Sequence, residues 1–160
     1  MSFEEIYTAH YSKIFRLCMG YVNDADWAKD LVQETFINVW QKLDQFRNES
    51  AIGTWIFRIA SNVCLRQLER HNRMPRSDMP VQLEDVKEPD MEHNIRLLYR
   101  FISELEETDR VIISLELEDV KQTEIASIVG FSDTNVRVRV HRIKEKLSQK
   151  FKDHEQSDRF

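Results

Sequence analysis

Backbone breakers are scarce: three glycines and three prolines among 160 residues. With Leu, Ile, Val, Glu, Lys and Arg abundant, that argues for a mostly helical protein. No stretch approaches the roughly 20 apolar residues of a membrane span. Met1-Ser2-Phe3-Glu4-Glu5 lacks the basic start and apolar run of a secretory signal. Asn48-Glu49-Ser50 matches a glycosylation sequon, which means nothing without export. Cys18 and Cys64 fall in apolar-periodic stretches and read as buried, reduced thiols. Together with His10, His71, His93, His141 and His154 they form no metal-ligand spacing. There is no phosphate loop and no nucleophile elbow. The expectation is a soluble, cytoplasmic monomer that is not an enzyme, with no cofactor, no metal and no membrane contact of its own. Its net charge of −5 argues against a general nucleic-acid coat. Net charge says nothing about distribution, however, and the distribution is uneven.

Apolar residues recur at helical spacing through most of the chain. Phe3, Ile6, Tyr7, Tyr11, Ile14, Phe15 and Cys18 mark a first helix reaching about Tyr21. Asn23-Asp24 offers a break and an N-cap. Trp27, Leu31, Val32, Phe36, Val39, Trp40 and Leu43 mark a second helix from about Ala25. The run from Phe46 to Gly53 reads as a loop, and a third helix follows from Trp55 to about His71. Residues 74–89 hold all three prolines and no sustained period, so they read as an extended linker. Helical spacing returns from Ile95 to Leu105 and from about Asp109 to Leu117. A short helix, Gln122–Val129, and a long one, Asp133 to about Phe151, complete the pattern, with a polar, frayed tail. The predicted architecture is all-α: two small helical domains, 1–73 and 91–153, joined by a flexible linker over 74–90, with a tail from residue 154.

The last two helices carry the first functional signal. Gly130 suits a left-handed C-cap, Phe131 can plug a corner, and Ser132 is a strong N-cap. A tight turn of this chemistry between two helices is a helix-turn-helix signature. At about 100° per residue, Val136, Val140, Ile143 and Leu147 share one side of the second helix, which must face the core. Thr134, Asn135, Val138, His141 and Arg142 point away. Arg137 and Lys144 flank one margin of that face, and Arg139 and Lys146 the other. Cations on both margins suit phosphates on both walls of a DNA groove. Asn135 suits adenine, and an arginine suits guanine. Val138 sits where solvation favours a polar side chain. A thymine methyl would explain it; so would a protein partner, or a harmless exposed valine.

Two stretches of the first half narrow the job. Asp30-Leu31-Val32-Gln33-Glu34-Thr35-Phe36, followed by Val39-Trp40, resembles the polymerase-binding helix of the sigma-factor family. Ser50-Ala51-Ile52-Gly53-Thr54-Trp55-Ile56-Phe57-Arg58-Ile59-Ala60-Ser61-Asn62 resembles its promoter-melting segment. The C-terminal pattern of Glu124-Ile125-Ala126, Gly130, Ser132, Val136, Arg139, His141-Arg142 and Leu147 is similarly close. The chain thus resembles the small two-domain, extracytoplasmic-function (ECF) type of sigma-70 factor over about Phe3 to Leu147. Thr134-Asn135 departs from a commoner Gly-Thr, Val138 from a common Ser, and Lys121 from a Ser or Thr cap. These departures bear on promoter sequence rather than on fold.

The resemblance implies a division of labour. The first domain (region 2) binds core RNA polymerase and opens the −10 element of promoter DNA. The second (region 4) docks its last helix in the −35 element. Asp30, Leu31, Gln33, Glu34 and Trp40 become the polymerase-facing set; without the resemblance, this acidic side is an ordinary solvated face. Arg47, Asn48, Glu49 and Ser50 become readers of a flipped base. Trp55 could stack on such a base or simply pack in the core. Arg58, Asn62, Arg66 and Arg70 line one side of the third helix, where cations can track a phosphate backbone. The family also implies an anti-sigma factor as partner. The rival reading is a polymerase-independent helix-turn-helix regulator.

Overall fold

Local capping decides where each helix begins and ends. In the computed structural model, which describes residues 2–67 and 92–158, α1 (Phe3–Val22) opens with a capping box. The Ser2 hydroxyl accepts from the Glu5 N–H at 3.2 Å, and the Glu5 carboxylate accepts from the Ser2 N–H at 3.2 Å. Asn23 ends the helix in the left-handed region, φ 49°, its N–H donating to the Met19 carbonyl. Asp24 then caps α2 (Ala25–Lys42), accepting from the Trp27 N–H at 3.0 Å. A 3-10 turn, Leu43–Gln45, leads through an exposed loop to α3 (Ile52–Leu65). The second region contains α4 (His93–Ser103), α5 (Glu107–Leu117), α6 (Gln122–Val129) and α7 (Asp133–Asp158). The linker expected over 74–90 and the third helix's expected reach to His71 lie largely or wholly outside the described residues. All the secondary structure among the described residues is helical.

Each region has an apolar interior. In the first, Phe3 meets Trp40 edge-on at 5.2 Å and Tyr7 meets Phe36 at 4.9 Å, while Phe15, Leu31 and Ile56 are sealed from solvent. In the second, Ile102, Ile112, Leu115, Ile125, Val136 and Ile143 are buried. Fully burying one such side chain contributes about 1.5–3 kcal/mol.

The two regions are also packed against each other, which the sequence alone could not show. α1 lies along α5 and α4, and α3 touches α5 and α6. At Gly20 the approach is so close that an added Cβ would lie 2.0 Å from the Ser114 hydroxyl. Arg16 forks onto the Glu118 carboxylate, with N–O distances of 3.1, 3.0 and 2.7 Å. The Arg110 guanidinium lies over the Tyr21 ring at 4.8 Å. Thr54 donates to Glu124, and Arg58 to Ser127, each at 3.2 Å.

α7 runs past its expected end. Phe151 packs edge-on against Phe101 of α4 at 4.9 Å, and Lys150 meets Glu104 at 2.6 Å. Two i,i+4 pairs, Gln149–Asp153 and His154–Asp158, carry the helix through the stretch that composition marks as frayed.

Candidate nucleic-acid interface

The reading helix is oriented by its own corner. Gly130 takes φ 80°, a value that costs an L side chain energy, and its N–H closes α6 on the Ala126 carbonyl. The chain then turns, and the Ser132 hydroxyl accepts from the Asn135 N–H at 3.1 Å, starting α7. Val136, Val140, Ile143 and Leu147 are buried against α5 and α6, as their spacing requires. That leaves Thr134, Asn135, Arg137, Val138, His141, Arg142, Lys144 and Lys146 exposed on the outer side. Arg137, Arg142 and Lys146 form no ion pair with the described residues. Lys144 reaches Glu116 at 3.3 Å, and His141 reaches Glu145 at 3.1 Å, both in surface pairs that contribute little and are readily exchanged. A shallow trough along the helix is lined by His141, Arg142, Lys144, Lys146 and Lys152, with Glu145 its one acid.

Arg139 is engaged within the protein in this structure. Its guanidinium lies 2.9 Å from Asp109 and 3.5 Å from Glu106, over the Phe131 ring at 4.6 Å, and its Nε donates to the Asn135 amide oxygen at 3.0 Å. In this arrangement two carboxylates oppose the one cation. The spacing that puts Arg139 at the margin of the face is correct. What spacing cannot show is that α5 brings Asp109 to that margin.

The −10 candidates are placed less uniformly. Arg47, Asn48, Glu49 and Ser50 form an exposed loop, and Asn48 sits at φ 58°. Trp55 is half-buried and leans on Phe46 from the preceding loop, ring centroids 5.1 Å apart. It therefore serves the packing while keeping an accessible edge. Arg58 and Arg66 are exposed on α3 and its C-cap, with half-buried Asn62 between them; Arg70 lies outside the described residues. Arg58 and Thr54 point at α6, so the helix-turn-helix sits against this face.

On α2, Asp30 and Gln33 are exposed, and Glu34 is half-buried. Leu31 is 1% exposed. It belongs to the core, because its place in the apolar stripe turns it away from Asp30 and Gln33. Trp40 is half-buried against Phe3 and keeps part of its ring at the surface.

Comparison with known proteins meets this geometry at both ends. Residues 6–74 match the Sigma-70 region 2 family, and residues 95–147 match Sigma-70 region 4. The ECF RNA polymerase sigma-E factors of Salmonella typhimurium strain LT2 and Escherichia coli K12 are each 31% identical over 165 residues, 93% of this chain and 86% of theirs. The chain belongs to the ECF family of sigma-70 factors. The RNA polymerase sigma-H factor of Pseudomonas aeruginosa is 29% identical to this sigma factor, covering 92% of it and 85% of the relative. Two solved structures share the fold. CnrH in complex with the cytosolic domain of CnrY has a TM-score of 0.66 at 22% identity, over 94% of this chain and 88% of CnrH. RpoE in complex with the anti-sigma factor NepR from Bartonella quintana has a TM-score of 0.69 at 20% identity, over 93% and 98%.

Both cysteines of this sigma factor are buried in region 2. A hydrogen bond with Cys64 and burial hold the Cys18 thiol well above its usual range, so it is a protonated, inert packing group. Burial and the Glu118 charge push Tyr99, at the junction of the regions, up to about 12.

Proposed function

We propose that this sigma factor joins core RNA polymerase through α2 and reads promoter DNA with two separate surfaces. The observation that carries the −35 assignment is the outer side of α7, a basic, exposed face placed by the Gly130–Ser132 corner. It docks in the major groove, with Arg137, Arg142, Lys144 and Lys146 toward phosphates and Thr134, Asn135, Val138 and His141 nearer the base edges. The loop 47–50, the Phe46–Trp55 pair and the cations of α3 take the −10 element. There the loop and aromatic pair hold an unstacked base while Arg58 and Arg66 follow the backbone. Asp30, Gln33, Glu34 and the exposed edge of Trp40 meet a basic face of the polymerase. An anti-sigma factor is the regulating partner, by likeness to a fold that is solved bound to one.

This assignment requires the chain to open. A compact chain of this length has a radius of gyration of about 15 Å. Two elements some 25 base pairs apart lie roughly 85 Å apart on B-DNA, at 3.4 Å per base pair. The closed form, with α3 against α6, cannot span them. The free protein thus holds its two reading surfaces too close together, and binding to polymerase supplies the separation. An overall acidic chain can do this work because the polymerase contributes most of the DNA contact.

Run-off transcription with sigma-free core polymerase on genomic fragments tests the assignment. Promoter-specific transcripts that depend on the added chain are the expected result. Their absence with demonstrably active core would sink it. On promoters so recovered, Val138→Ser should relax the preference for one T·A pair by roughly 5-fold or more, the lower end of a good base contact. An unchanged −35 profile would remove Val138 from the reading set.

A further inference from the structure

Asn135 is the third residue of α7, at the end of a recognition helix where side chains reach base edges. It is exposed, and an exposed asparagine ordinarily rotates its amide freely. Here one partner prevents that. The Arg139 Nε–H can only donate, so the atom it meets at 3.0 Å must be the Asn135 carbonyl oxygen. The orientation of the amide is fixed by chemistry, and its NH2 group faces away from Arg139.

Arg139 is itself held from outside the helix. Asp109 lies in the first turn of α5, thirty residues earlier, and binds the guanidinium at 2.9 Å, with Glu106 at 3.5 Å. The Phe131 ring at 4.6 Å supports the guanidinium plane. The line of support runs from α5 through Asp109 and Arg139 to Asn135. The contacts to Asp109, Glu106, Phe131 and Asn135 are all made by one guanidinium, a set that a lysine could not reproduce.

We propose that Arg139 is a positioning residue for −35 recognition, presetting the Asn135 amide so that it presents one donor and acceptor arrangement to a base edge. The proposal rests on the docking of α7 at the −35 element and assigns the source of its selectivity at one position. An asparagine free to flip offers a base either edge of its amide. A fixed one discriminates, because the four base pairs differ in their major-groove donor and acceptor pattern. Arg139 contributes order to the reading surface, whereas Arg137 and Arg142 contribute charge.

The test uses holoenzyme assembled from core polymerase and the full chain, with a run-off promoter randomised across its −35 element. Wild type should prefer a base at one position, and Asn135→Ala should lose that preference roughly 5-fold or more. Arg139→Met keeps an unbranched stem against Phe131 and removes every N–H. It should lose the same preference, and the double variant should lose no more. Asp109→Asn, which leaves α7 untouched, should lose part of it, so the outcome does not hang on the folding of one variant. Salt dependence separates positioning from charge. The slope of log affinity against log salt should stay at the wild-type value in Arg139→Met, and fall by about one in Arg142→Ala. A slope lowered by about one in Arg139→Met would overturn the inference, since Arg139 would then be a phosphate contact. So would an Arg139→Met profile that keeps the preference lost in Asn135→Ala, or an Asn135→Ala profile identical to wild type. A wild-type holoenzyme with no −35 preference at all would overturn the docking assignment and this inference with it.

Discussion

The interiors of the two regions and the seam between them are built from different materials. Inside region 2, aromatic rings meet edge-on or tilted around Phe36 and Trp40. Inside region 4, aliphatic side chains fill the space between α5, α6 and α7. The seam combines a bidentate ion pair, a cation over a ring and a glycine pressed against a serine. Two of its buried polar atoms, Ser114 Oγ and Arg110 Nε, have no hydrogen-bond partner among the described residues. Leaving such an atom unpaired costs about 1–3 kcal/mol. On the proposal that the chain opens on polymerase, the seam is the part that gives way.

The largest effect that would sharpen this contrast belongs to the interior. Phe36→Ala should destabilise the folded chain by about 3–5 kcal/mol, read by urea unfolding. A loss under 1 kcal/mol would mean that the interior is no firmer than the seam. Next comes Gly20→Ala, which places a methyl where Ser114 already stands. Overpacking of this kind costs about 1–3 kcal/mol, and here the regions can separate to relieve it. Small-angle scattering should show a larger radius while helical circular dichroism stays constant. A compact variant would show that α1 and α5 adjust without parting.

Smaller again is Glu118→Gln. Arg16 is about one-third exposed, and solvent screens the pair, so the loss should be at most about 1 kcal/mol. A fluorophore pair across the seam should show slightly more opening, with the wild-type difference shrinking in high salt. The smallest effect is alkaline. Burial raises Tyr99 to about 12 from 10.0, so the folded state favours the neutral phenol. Its contribution is full below about pH 10 and is lost as pH rises through about 12. Tyr99→Phe should flatten that part of the opening curve; an unchanged curve would place the alkaline sensitivity elsewhere.

The same contrast explains what the sequence could and could not disclose. Asn23-Asp24 and Gly130-Phe131-Ser132 act within a few residues, so their chemistry names the boundaries they set. The inward face of α7 follows from helical spacing alone. A resemblance groups Leu31 with Asp30 and Gln33, while its angle on the helix sends it into the core. Arg139 is harder still, because its partner Asp109 belongs to another helix and no local pattern joins them. The seam was wholly illegible, since Arg16 and Glu118 are 102 positions apart and neither stands out from its neighbours. The end of α7 is not legible in its own composition, because Phe151 needs Phe101 to hold it.

That last contact makes α7 a lever. Its 26 residues form a rod of about 39 Å. One end carries Asn135 and Arg137, and the other is bolted to α4 through Phe101, Phe151 and Lys150. A stiff rod cannot turn at one end only. A force that tilts α4 would therefore also bear on the outer face at the other end of the rod. The far end of α7, as well as the Gly130–Ser132 corner, thus holds the outer face in place.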